Sequence, residues 1–284
     1  MADTQVFTKQ LLAVLPTIFQ KKAYFVSAFG QLQAIDGIRD NAVAFTVKTN
    51  DMPVIINPYS KDANVAFGTG TANSSRFGAR QEVKYVDTDV PYNSDWAFDE
   101  GLDKHTVNAD LDAAVAARLV AQAQALLVRW NKLDGAALVA AGSDIGVDSS
   151  DPIALFNAAA KAYTQLEIIE KPKAYVTSDL YNALVDSTLA VSGKGSTVNI
   201  DQNGLSWFKG FNLVEVPDVY MNGKEAIFAP DGVGKTFVGI ATTRTITPEG
   251  FDGVALQGAG KDGTYIPEAN KKAILLAAPK PAGE

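Results

Sequence analysis

The chain has 284 residues, 47% hydrophobic and 20% charged, with 32 acidic against 25 basic residues, a net charge of −7 and a pI of about 4.9. That is a globular composition, not a disordered one, and its acidic balance argues against a surface built to neutralise phosphates. The absence of cysteine excludes disulfides, thiolate metal sites and cysteine nucleophiles, and a single histidine, His105, excludes multi-histidine metal sites.

The first segment, QVFTKQLLAVLPTIFQKKAYF, is weakly amphipathic and interrupted by Pro16. It reads as a separate arm ending in the aromatic cluster Tyr24, Phe25 and Phe29. It lacks a basic start and a small-residue cleavage site, so no signal peptide is expected. No apolar stretch is read as reaching the roughly 20 residues needed to cross a bilayer, and a soluble product is expected.

AVAFTVKT, residues 42–49, is strand-like, and strand character resumes at EVKYV, residues 82–86. Between them Gly68 to Gly78 is dense in Gly, Ser, Thr and Asn, the composition of a polar tip. The pattern predicts a long projecting hairpin with a flexible tip. Such a hairpin exposes pairing edges.

Val107, Leu111, Val115, Leu119, Leu126, Trp130, Leu133 and Ala137 then recur at steps of three, four or seven in an alanine-rich run. This predicts one helix of roughly 25 to 30 residues, more than twice the usual length, with Thr106 or Asn108 as its cap. Asp151-Pro152 signals the start of a further helix. KPKAYVT reads as a strand, SDLYNALVDSTLAVSG as a helix closed by Gly193, and FNLVEVPDV as a strand halted by Pro217. Residues 219–276 read as strands and turns, with VYMNGKEAIF forming an antiparallel hairpin around Asn222-Gly223.

Four groups invite chemical readings. Ala229-Pro230-Asp231-Gly232-Val233-Gly234-Lys235-Thr236 fits the relaxed pattern of a phosphate-binding P-loop. That loop needs a helix directly after it, its N–H groups facing the anion. Here TFVGIATT follows, β-branched and strand-like, so a turn between strands is the favoured reading. His105 has no serine in a G-x-S-x-G context to activate and reads as a surface or capping residue. Asp87, Asp89 and Asp95 lack the ordered loop of a calcium site. The basic residues are scattered, and neither adjacent pair, Lys21-Lys22 or Lys271-Lys272, is interleaved with aromatics as a nucleic-acid channel requires. No catalytic, cofactor-binding or metal-binding residue is assigned.

The order of elements resembles the major capsid proteins of tailed bacteriophages, the Hong Kong 97-type fold, and most closely those of phages of Gram-positive bacteria. The resemblance is carried by the arm QVFTKQLLAVLPTIFQKKAYF, the hairpin from VAFTVKT to QEVKYVDTDVPY and the stretch DEGLDKHTVNADLDAAVAARLVAQAQALLVRWNKLDGAAL. KPKAYVTSDLYNALVD, GFNLVEVPDVYMNGKEAIFAPDGVGKTFVGI and TYIPEANKKAILLA complete it.

It implies an α+β chain with an N-terminal arm (1–40) and an extended loop (41–90). A peripheral domain containing the spine helix (91–148 and 241–278), an axial domain (149–240) and a loose tail (279–284) follow. It further implies a non-enzymatic shell subunit without cofactors, self-assembling as hexamers and pentamers in the host cytoplasm. Its partners would be scaffolding and portal proteins and weakly contacted packaged DNA in the virion, with no membrane contact. Some members link subunits through a lysine and an asparagine. Lys48, Lys61 and Asn270 are present, and no link is assigned to them. An encapsulin-type compartment shares the fold. The Gly/Ser/Thr-tipped hairpin and proline-interrupted arm favour the phage shell, and a P-loop nucleotide-binding protein is the remaining alternative.

Overall fold

The computed structural model describes residues 22–35, 43–50, 52–62, 76–78, 80–107, 110–169, 172–187, 200–201 and 204–278. Residues 41–91 separate from the rest as a compact unit of their own.

In that smaller unit, β2 (Val43–Thr49) pairs antiparallel with β3 (Val86–Pro91), Val47 opposite Thr88. The ladder begins at Val86, later than the sequence suggests, and residues 80–85 form no paired strand. Further out, the Ser60 N–H donates to the Arg76 carbonyl at 2.9 Å, and the Tyr59 and Phe77 rings meet edge-on at 5.4 Å. Most of the Gly68–Gly78 tip falls outside the described residues.

Among the described residues, the larger unit begins with a single helical turn, α1 (Val26–Phe29), and the short strand β1 (Gln33–Ala34). After the hairpin come β4 (Ser94–Asp103), the short α2 (Lys104–Val107) and α3 (Leu111–Ala141). The long helix has 31 residues, and its N-cap is Asp110, whose carboxylate accepts the Ala113 N–H, not Thr106 or Asn108. It runs through Gly135 without breaking. A Cβ there would stand 2.0 Å from the Tyr220 carbonyl oxygen, so the glycine lets another backbone approach the helix.

Alanine makes α3 more apolar than expected. An 18-residue window reaches a mean hydropathy of 1.4, long and apolar enough by composition to cross a bilayer. Against that reading, Arg118 and Arg129 are bound to the adjacent strands. The Arg129 guanidinium clasps the fully buried Asp262 carboxylate through Nε at 2.6 Å and Nη2 at 3.1 Å, and Arg118 and Gln122 donate to Glu100.

Two long strands, β12 (Lys235–Ile246) and β13 (Gly253–Tyr265), join β1 and β4 in a four-stranded sheet with the order β1-β12-β13-β4. The glycines of β13 resemble turn residues in sequence but lie inside a strand. Gly258 and Gly260 face Phe98 and Trp96 across the ladder, and a Cβ would meet those rings at 2.3 and 2.6 Å. The missing side chains make room for two aromatic rings stacked at 5.8 Å.

A six-stranded sheet forms the second body of this unit. Its strands are β5 (Ser143–Asp144), β6 (Lys173–Val176), β9 (Trp207–Phe208), β10 (Phe211–Glu215), β11 (Ala226–Ala229) and β14 (Leu275–Ala277), in the order β5-β14-β11-β6-β10-β9. The C-terminal strand therefore pairs with β11 and β5, not with the long strands of 235–265. Alternation decides the two cores. Ala174, Val176, Ala226, Phe228, Leu275 and Ala277 face helices α4 (Pro152–Gln165) and α5 (Ser178–Val185). There Phe156 meets Phe208, Phe211 and Phe228 edge-on at 5.1 to 5.5 Å. Tyr175, Ile227, Ala229 and Leu276 point the other way, onto Leu138 of α3 and onto Phe25 and Phe29.

Asp151 caps α4 with Pro152 in the first turn, as the sequence predicts. α5 ends at Val185, and the predicted continuation to Gly193 falls outside the described residues. The strand pair β7 (Ile200–Asp201) and β8 (Gly204–Leu205) lies between α5 and β9. The hairpin predicted around Asn222-Gly223 does not form. Asp218–Tyr220 is a 3-10 turn, because Pro217 halts β10 and Tyr220 and Met221 turn inward as buried side chains. α6 (Glu268–Lys271) is a last single turn before β14.

Candidate functional site

The sequence singles out 229–236 first. It is a turn from β11 into β12, and both strands run antiparallel to their ladder partners on either side, save the short β1. Two of the N–H groups a phosphate would need are already used. Gly232 donates to the Ser27 carbonyl at 2.8 Å and Gly234 to the Ala28 carbonyl at 3.1 Å. A Cβ at Gly234 would lie within 2.9 Å of the Phe29 ring and Ile266, so the loop is filled by its own chain. Lys235 is exposed at the start of a strand, and Thr236 is buried with its hydroxyl donating to Asp134. No helix follows. The motif is a turn that receives the N-terminal segment.

That segment is held at several points. Asn131 of α3 accepts the Tyr24 N–H at 3.1 Å and donates to the Lys22 carbonyl at 2.8 Å. Phe25 and Phe29 are both 1% exposed. Lys173 bonds the Ser27 hydroxyl and pairs with Asp231 at 3.4 Å. Sequence reasoning identifies the aromatic cluster and misses its polar frame. Asn131, Asp134 and Leu138 share one helix stripe, so the signal available was polar residues at core positions of α3.

Asp134 is the most perturbed acid of this frame. Burial pushes its carboxyl from the ordinary 3.8 up to about 7, partly offset by the Thr236 bond. It has no nucleophile or charged partner positioned for chemistry, and it joins α3 to β12. The Tyr163 and Tyr175 phenols are likewise raised by burial, and the Tyr163 hydroxyl reaches the Ala273 carbonyl at 2.6 Å.

The other candidates are scattered. His105 pairs with Asp252 at 3.2 Å at an exposed site, and its own N–H is capped by Asp103. Asp87 pairs with Lys48 at 3.6 Å, Asp89 accepts from Thr46 at 2.8 Å, and Asp95 lies 3.8 Å from Lys261. Among the described residues no group of three or more His, Asp or Glu is placed to hold a metal ion. Asn270 donates to the Val233 carbonyl at 2.9 Å, so its amide braces the glycine turn. Lys61 is exposed in the hairpin. A polar cleft of about 590 Å³, lined by Lys22, Tyr24, Ser178, Asn212, Glu215 and Pro217 among others, borders the N-terminal anchor.

The hairpin is unlike these sites in being apolar and open. Val54 is 89% exposed, Ile56 91% and Phe77 77%. Met52, Ile55, Tyr59, Val83 and Tyr85 are exposed with them. Exposed apolar patches of this kind mark interaction surfaces.

No family model and no curated protein sequence matches the chain. Solved structures do. A capsid structure of the cyanophage P-SCSP1u is 11% identical, with a TM-score of 0.65 over 94% of this chain and 90% of that one. The mature capsid of bacteriophage PhiM1 is 9% identical, with a TM-score of 0.63 over 95% and 90%. A structure from Mycobacterium phage Che8 is 15% identical, with a TM-score of 0.57 over 82% and 83%. Likeness across nearly whole chains, at such low identity, is likeness of fold. The chain is an α+β protein with the Hong Kong 97-type fold of phage capsid proteins.

Proposed function

We propose that this chain is the major capsid subunit of a tailed bacteriophage, self-assembling into the icosahedral shell that encloses double-stranded DNA. The observation that carries the reading is the apolar hairpin, with Val54, Ile56 and Phe77 each more than three-quarters exposed, on a chain of this fold. A monomer gains nothing from that surface, whereas a shell subunit buries it against neighbours. Closed symmetry then turns modest contacts into a stable particle, because each copy is held several times over.

The finer assignments belong to the same proposal. Residues 1–40 serve as arm and 41–90 as extended loop. Residues 91–148 and 241–278 form the peripheral domain, with strand 275–277 contributed to the sheet of the axial domain at 149–240. The tail is 279–284. Subunits group as hexamers and pentamers, assembled in the host cytoplasm with scaffolding and portal proteins, and the phage is one of Gram-positive bacteria. The subunit performs no catalysis. A net charge of −7 suits a container that touches its DNA weakly, so that the genome slides during packaging.

The test is electron microscopy of the full chain, alone over a range of concentrations and co-expressed with its scaffolding partner. Uniform closed shells are expected. A monodisperse monomer under every condition overturns the reading.

A further inference from the structure

Residues 22–30 cross the larger unit as a strap. Asn131 accepts the Tyr24 N–H and donates to the Lys22 carbonyl, and the N–H groups of Gly232 and Gly234 donate to the Ser27 and Ala28 carbonyls. The Phe25 and Phe29 rings are its buried grip, with Phe25 5.0 Å from the Tyr175 ring. Two polar groups lie beneath it. The Tyr175 hydroxyl, fully buried and facing Ser27 and Ala28, makes no hydrogen bond of ordinary geometry. The Asp134 carboxyl, among the described residues, has the Thr236 hydroxyl as its one hydrogen-bond partner and no cation beside it. The strap's rings flank that bond. A Cβ at Gly135, next to Asp134, would lie 3.5 Å from Phe25, and one at Gly234, two residues from Thr236, would lie 2.8 Å from Phe29.

We propose that residues 22–30 are a proton-operated strap, closed over Asp134 while that carboxyl is neutral and lifting, with the rest of the subunit still folded, once it ionises. The strap acts in the free subunit, whatever the subunit assembles into. An unpaired carboxylate is costly in a buried site, and lifting one short segment returns it to water at less cost than unfolding the sheets. What remains keeps its own ties, since Arg129 clasps α3 to Asp262 of β13 and the six-stranded sheet keeps its ladders. Around Asp134, burial raises the phenols of Tyr175 on β6 and Tyr24 on the strap, which stay neutral. The Tyr220 ring of the 3-10 turn lies 5.8 Å from that of Tyr24. Lys173 of β6 pairs with Asp231 of the glycine turn at 3.4 Å, and Lys132 of α3, Lys235 of β12 and Lys22 of the strap are exposed. Asp134 is the buried acid left without a counter-charge. Under the closed strap its carboxyl titrates at about 7, and in water near its ordinary 3.8. Closing therefore takes up a proton between those limits. The lifted fraction grows by at most about tenfold per pH unit from about pH 4 to 7 and is level above.

Hydrogen exchange with mass spectrometry on the full chain, its rates corrected for the intrinsic effect of pH, tests the strap. The reporters are the amides of Ala28, Phe29 and Gly30, bonded within the strap, and those of Gly232 and Gly234, bonded to it. They are expected to be at least about tenfold less protected than the amides of α4 and β10 at every pH. Between pH 5 and 7 they are expected to lose about tenfold or more of their protection. Asp134→Asn keeps an acceptor for the Thr236 hydroxyl and is expected to hold their protection level over that range. Protection equal to that of α4 and β10 means that the strap opens only with the whole subunit, and overturns the proposal. Protection independent of pH in the parent, or an Asp134→Asn profile as steep as the parent's, overturns it as well. The parent's own profile needs no variant, so the test stands even where Asp134→Asn fails to fold.

Discussion

Asp134 shows what a single buried carboxyl does to pH dependence. Its folded pKa of about 7 lies above its unfolded value near 3.8, so between those limits the native state keeps a proton that the unfolded chain has lost. Stability from this group is complete below about pH 4, falls as pH rises through 7, and is level above. A difference of that size between the folded and unfolded chain corresponds to at most about 4 kcal/mol. Asp134→Asn keeps a group able to bond Thr236 and removes the ionisation. Urea denaturation of the variant is expected to show a flatter profile between pH 4 and 8, with the variant gaining on the parent by about 1–3 kcal/mol at the alkaline end. Profiles that run parallel contradict the assignment.

At the scale of elements, the sequence makes α3, α4, β2, β6 and β10 legible because each rests on local rules: helical spacing, the Asp151-Pro152 start and short β-branched runs. What it hides depends on contacts far along the chain. Gly258 and Gly260 look like punctuation until Phe98 and Trp96 occupy the space above them. Asn222-Gly223 does adopt a turn, with φ of 48° and 75°, but the residues ahead of it are pulled into the core instead of a ladder. In the phosphate-loop candidate, the missing helix is readable from TFVGIATT, whereas the capture of its N–H groups by Ser27 and Ala28 is not.

Gly135 belongs with these hidden cases and yields a prediction. Alanine at a helix interior position is ordinarily worth up to about 1 kcal/mol over glycine. Here the new Cβ would collide with the Tyr220 carbonyl oxygen at 2.0 Å, a backbone atom that cannot rotate away. Overpacking of this kind costs about 1–3 kcal/mol, so the collision outweighs the propensity. Gly135→Ala is expected to lower the melting temperature of the free subunit, and a rise would show that the 3-10 turn at 218–220 yields easily.

For the molecule as a whole, the two units differ in how their described residues are held. In the larger one, two apolar clusters line opposite faces of the six-stranded sheet, and the buried Asp262 has its guanidinium and hydroxyl partners. The smaller one holds two paired strands, beyond which residues 52–62 and 80–85 run without a ladder and carry exposed Val54, Ile56, Val83 and Tyr85. Unladdered backbone exchanges its amide hydrogens near the free rate, whereas sheet interiors exchange through rarer openings. In a shell that buries the hairpin, amides of 52–62 and 80–85 are expected to slow at least about tenfold relative to the free subunit, while those of β6, β10 and β11, already protected, change little. Hydrogen exchange with mass spectrometry on both forms measures this difference. Equal protection of the hairpin in the two would mean that its apolar face serves something other than contact between copies.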